Sequence, residues 1–94
     1  MFDIRWSVGL ETAGDEVMTP EQIVELADAV AAKNGIATGM FTASYGARLV
    51  VYAETRERAI EKATFFFREA AKKAGLPEWP IVRTEAESEE EGDP

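Results

Sequence analysis

Glu11, Asp15 and Glu16 stand close together ahead of a predicted helix, and grouped carboxylates are the side chains from which a hard divalent cation takes its oxygens. Their spacing matches no EF-hand loop, and acids are ordinary on the surface of a small domain, so no metal is expected there. The chain has no cysteine and no histidine. That removes disulfides, thiol nucleophiles, imidazole bases and the usual zinc, copper and iron–sulfur ligand sets together, and no cofactor is expected. A catalytic carboxylate pair has no better support, because nothing in the order of the acids brings two of them into one pocket. What the residue types and spacings favour is binding.

The clearest binding signal lies between Thr55 and Gly75. Ala59, Ile60, Ala63, Phe66, Phe67, Ala70 and Ala74 recur at helical spacing and make one apolar stripe. At about 100° per residue, Phe65 falls on the opposite side of that helix, among Arg58, Lys62, Glu69 and Lys72. An exposed aromatic ringed by basic side chains has the composition of a protein interface, so this face is expected to bind an acidic partner or the chain's own tail. The formal net charge of -8 is concentrated in that tail. Residues 84–94 hold Glu85, Glu87, Glu89, Glu90, Glu91 and Asp93 without a single base, which leaves the rest of the chain close to neutral.

The elements that must position these groups follow from periodicity and caps. Phe2, Ile4, Trp6, Val8 and Leu10 alternate with Asp3, Arg5, Ser7 and Gly9, the pattern of a strand with one buried face. Glu11 to Met18 reads as a flexible loop. Thr19-Pro20-Glu21-Gln22 is a capping box with proline in the first turn, and Ile23, Leu26, Ala27, Val30 and Ala31 continue a helix up to Asn34-Gly35. Ile36–Tyr45 and Ala47–Glu54 form a predicted hairpin whose first arm has two equally plausible faces. The second helix runs from a Thr55 cap to Gly75, Trp79 caps the end of the core between Pro77 and Pro80, and a short last strand spans Ile81 to about Ala86.

The order strand, helix, strand, strand, helix, strand predicts an α+β, ferredoxin-like β-α-β-β-α-β sandwich: a four-stranded antiparallel sheet with two helices on one face. A chain of 94 residues supports one such core. The expected division is a single domain over residues 1–86 and an acidic, flexible tail over 87–94. With no long apolar run and no basic-then-apolar start, neither a membrane partner nor a secretory signal is expected, and the cytoplasm is the expected compartment.

Nucleic acid is not an expected partner. The open sheet face offers Tyr52 as its one aromatic, beside Asp3, Arg5 and Ser7, where base stacking needs several rings. Val50, Tyr52 and Ile81 instead put apolar area on a face that no helix of this chain covers, which favours a second copy or a protein partner. The leading expectation is therefore a non-enzymatic interaction or regulatory module, a homodimer or a partner-docking domain. It would use its open sheet face and second helix, through Phe65, Arg58, Lys62, Lys72, Val50, Tyr52 and Ile81. As an alternative, the loop bearing Glu11, Gly14, Asp15 and Glu16 resembles in position the ligand loop of ACT domains, and that resemblance implies a small-ligand-sensing dimer. A cofactorless enzyme like the small dimeric monooxygenases of this fold is a third reading, with Trp6, Tyr52 and Asn34 as its pocket groups.

Overall fold

The computed structural model describes residues 3–31, 35–39 and 43–88. Six elements follow in the expected order: β1 (Ile4–Thr12), α1 (Pro20–Val30), β2 (Ile36–Thr38), β3 (Gly46–Ala53), α2 (Arg56–Lys73) and β4 (Ile81–Ser88). The strands lie in the order β2-β3-β1-β4 with every neighbouring pair antiparallel. Both helices bury their apolar stripes in one core against the same face of the sheet, which is the ferredoxin-like arrangement.

The alternation of β1 decides which face that is. Trp6, Val8, Leu10 and Thr12 turn toward the helices and are buried, as are Ala47, Leu49, Val51 and Ala53 of β3, with Trp6 opposite Val51 and Val8 opposite Leu49. Each large apolar side chain so covered contributes about 1.5–3 kcal/mol. Trp6 keeps its one polar atom satisfied by donating from Nε1 to the carbonyl of Ala53 at 3.0 Å.

Both helices start where their caps require. The Thr19 hydroxyl accepts from the Gln22 N–H, the Gln22 side chain accepts from the Thr19 N–H, and Pro20 opens α1. Met18 and Ile23, on either side of that cap, are both buried in the core. In α2 the Thr55 hydroxyl accepts from the Arg58 N–H. The core-facing residues Ala59, Ala63, Ala70 and Ala71 are small enough to let the helix lie close on the sheet, and Phe67 fills the remaining space with no exposure at all. The helix stops in a Schellman turn: Leu76 donates to Ala71, Gly75 donates to Lys72, and Gly75 takes the left-handed φ of 76°.

Three expectations about the strands are corrected. The last strand does not end near Ala86: Glu87 and Ser88 pair with Ser7 and Trp6, so the acidic stretch begins inside the sheet, and residues 89–94 lie outside the described residues. β1 continues to Thr12, which moves Glu11 from the loop onto the strand. Among the described residues the first arm of the hairpin is a strand only from Ile36 to Thr38, with Ala37 packed toward the core and Ile36 exposed. Of the expected helix stop at Asn34-Gly35, Asn34 lies outside the described residues, and Gly35 donates to the carbonyl of Val30, the last residue of α1, at 3.0 Å.

Tyr45, which the sequence places near a hairpin turn, stands just before β3 and is fully buried. Its ring lies 5.7 Å from that of Phe67 and 5.6 Å from that of Trp79, and its hydroxyl donates to the carbonyl of Pro77. Its main chain is bound to Thr12 on both sides. The Thr12 N–H and hydroxyl each donate to the Tyr45 carbonyl at 2.9 Å, and the Tyr45 N–H donates back to the hydroxyl oxygen at 3.2 Å.

Burial holds the Tyr45 hydroxyl above its ordinary value of 10.0; Arg68 and the main chain of Trp79 oppose the shift and Glu78 adds to it. Because the folded state favours the neutral phenol, the stability linked to this group is complete below pH 10 and is lost as pH rises through the higher folded value. Tyr45→Phe leaves the Pro77 carbonyl without this donor and should cost about 1–3 kcal/mol in urea unfolding at neutral pH. The same variant should lack the alkaline loss of stability that Tyr45 gives the parent chain.

Candidate functional site

α2 carries the exposed aromatic that its periodicity predicts. Phe65 is 60% exposed, whereas Phe66 packs partly against the core and Phe67 is enclosed by it. At spacings of three, four and seven residues, Phe65 is flanked by Arg58, Glu61, Lys62, Arg68, Glu69 and Lys72. The expected ring of bases is only partly available. Arg58 is paired with Glu61 at 3.5 Å, both well exposed, a contact worth at most about 1 kcal/mol. Lys62 turns away to donate to the Tyr52 carbonyl at 2.6 Å, and Arg68 donates to the Trp79 carbonyl at 2.8 Å. Among the described residues, Lys72 and Lys73 meet no carboxylate at ion-pair distance.

Those two lysines stand on the rim of a groove of about 540 Å³ between the ends of the two helices. Ala29 and Val30 of α1, Leu49 of β3, and Phe66 and Ala70 of α2 form its apolar lining, and Glu69 shares the rim. The ring of Phe65 meets that of Phe66 edge to face, with centroids 5.6 Å apart and planes at 68°. Apolar surface therefore runs without a break from the exposed Phe65 through Phe66 into the groove, with ammonium groups alongside. An apolar side chain flanked by carboxylates is the chemistry that complements it.

The open sheet face is more charged than expected. Arg48 lies at its centre, donating from Nη1 to Ser7 Oγ at 2.9 Å and from Nη2 to Glu85 at 3.4 Å, and Arg83 holds the other oxygen of Glu85 at 3.0 Å. Gly9 makes room for this, since a Cβ there would come within 3.3 Å of the Arg48 guanidinium. Tyr52, opposite Arg5, and Ile36, opposite Arg48, are exposed, and Val50 is half-buried opposite Ser7. Ile81 does not join them. It pairs with Thr12 and packs against the core, because Val82 forms a bulge that shifts the register of β4 between Glu11 and Thr12.

The loop after β1 is tied down on both sides. Ala13 donates to the Pro80 carbonyl and Gly14 to that of Ala43, and a Cβ on Gly14 would lie 2.0 Å from the indole ring of Trp79. Gly14 thus serves the seating of Trp79, which accounts for the glycine without a ligand. Asp15 and Glu16 are exposed beyond it, and Glu11 stands on the strand. Among the described residues, no three such carboxylates are gathered to hold a metal ion. Of the pocket groups considered for an enzyme, Trp6 is in the core, Tyr52 is on the opposite face, and Asn34 lies outside the described residues. No helix of the described residues is long and apolar enough to cross a membrane.

The sequence reading missed the groove, since Val30, Leu49 and Phe66 each carry an ordinary core signature and only their junction leaves a gap. It also missed the loss of Lys62 to the sheet edge. Neither a family model, nor a curated protein, nor a solved structure matches this chain.

Gly14→Ala should cost about 1–3 kcal/mol by forcing the Trp79 ring off its seat, with a shift in tryptophan emission as the direct readout. Phe65→Ala, at an exposed position, should leave the unfolding midpoint almost unchanged, within about 0.5 kcal/mol, while Phe67→Ala costs about 3–5 kcal/mol.

Proposed function

We propose that this domain is a non-enzymatic docking module that takes an acidic, apolar-tipped segment of a partner protein on α2 and in the groove beside it. The observation that carries this reading is the continuity of Phe65 with the groove through Phe66, bordered by Lys72 and Lys73. An aromatic anchor next to an apolar recess supplies most of the affinity in small interfaces. The ammonium groups on the rim, which meet no carboxylate among the described residues, add attraction for a negative partner and choose against a positive one. Among the described residues, the titrating group whose value is clearly moved, Tyr45, is engaged as a hydrogen-bond donor inside the core and stays protonated at neutral pH. Its part is structural.

The test is a fluorescence-anisotropy titration of the full chain with a labelled peptide in which one leucine is flanked by glutamates. Binding should weaken as salt is raised, and Phe65→Ala and the pair Lys72→Glu, Lys73→Glu should each weaken it by about tenfold or more. Binding that Phe65→Ala leaves unchanged would remove α2 from the interface and with it this reading.

A further inference from the structure

The two edges of the sheet are finished differently. On one side, among the described residues, β2 covers β3 only from Gly46 to Arg48, and beyond that point the Lys62 ammonium occupies the Tyr52 carbonyl. A short strand and a lysine are means by which an edge is closed to further strands. On the other side β4 runs for eight residues. Among the described residues no strand lies outside it, and no side chain is bonded to its main chain between Ile81 and Glu87. Between Ile81 and Glu87 its outward N–H and C=O groups meet no partner among the described residues and can take water or another strand.

The side chains of that strand are self-complementary. On the open face β4 presents Arg83 and then Glu85, opposite Glu11 and Gly9 of β1. Glu85 takes Arg48 on Oε1 and Arg83 on Oε2, and the arginine is well exposed. A two-fold pairing of identical strands must be antiparallel about one point. Centred on Glu85 it would set Glu85 against itself, and centred on Arg83 it would set the arginine against itself. Centred on Thr84 it sets each arginine against a glutamate twice over, and cross-strand pairs of opposite charge are stabilising where like charges are not. The bulge at Val82 lies outside the stretch from Arg83 to Glu85.

We propose that β4 pairs with β4 of a second copy, antiparallel about Thr84, so that Arg83 faces the partner's Glu85 and Glu85 faces the partner's Arg83. The two sheets become one of eight strands. This pairing does not depend on the docking reading.

Charge reversal tests it. Light scattering of the full chain should give twice the 10.3 kDa chain mass, and Arg83→Glu and Glu85→Arg should each raise the dimer dissociation constant about tenfold by setting like charges opposite one another. An equal mixture of the two variants should return to dimer, because one brings two glutamates to the seam and the other two arginines. From the parent charge of -8 the variants carry net charges of -10 and -6, so overall attraction cannot account for such a heterodimer. Each variant also loses its internal Arg83–Glu85 pair, so a merely local role predicts no recovery on mixing. Hydrogen exchange on the unmodified chain is the second readout: β4 amides should gain protection as concentration rises. A parent chain that stays at 10.3 kDa throughout, a mixture that stays monomeric, or a dimer whose β4 amides exchange as fast as the monomer's would each overturn the proposal.

Discussion

Tyr45 is buried where the loop after β1, the entry to β3 and the connector before β4 come together, and its main chain, ring and hydroxyl each hold a different segment. The main chain is bound to Thr12, a buried polar residue of the core, so that the end of β1 and the start of β3 are locked in register. The ring stands between Phe67 of α2 and Trp79 of the connector. The hydroxyl satisfies the Pro77 carbonyl, a group that would be costly to leave unpaired near the core. With Trp79 seated on Tyr45 and Gly14, and Pro80 bonded to Ala13, β4 has one place to begin. The alternation of Arg83, Glu85 and Glu87 along the open face follows from that starting point and from the bulge at Val82.

The surface that α2 presents follows from how little of the helix the core uses. Its alanines let it lie close on β1 and β3, and Phe67 is its one large residue fully enclosed there. Phe66 falls at the border, where it turns toward the end of α1 and leaves a recess above Leu49 that the small side chains of Ala29 and Ala70 do not fill. Phe65 then stands outside with its edge on Phe66. Three consecutive phenylalanines thus occupy three different environments, because each step along a helix turns the side chain by about 100°. Lys62 shows the reverse economy: one side chain that helix geometry assigns to the docking face is used to stop the edge of β3.

Much of this architecture is legible in the order of residues. The alternation of β1, the capping box at Thr19, the Thr55 cap and the glycine stop of α2 act within a few residues, and each is found where the local pattern puts it. So is the exposure of Phe65. The register of the hairpin's first arm was not legible, because Ala37 and Ile36 are equally acceptable inward residues until the helices arrive, and the smaller one proved to be covered. Ile81 turns to the core for a related reason: strict alternation carries no information about a bulge, and one extra residue turns every side chain beyond it to the other side. The acids from Glu85 to Glu87 read as tail by composition, yet the main-chain bonds to β1 outweigh the weak strand preference of glutamate.

What the sequence determined by itself was the set of elements, their order, the buried faces of β1 and both helices, and the exposed aromatic of α2, since all of these rest on periodicity and on capping contacts between near neighbours. What only the tertiary structure decided was which distant groups meet: Tyr45 with Thr12, Pro77 and Trp79, Lys62 with the edge of β3, Arg48 with Glu85, and the groove left between α1 and α2. Those depend on the packing of whole elements against one another. No spacing along the chain encodes the distance between two residues that are brought together by a sheet register and two crossovers.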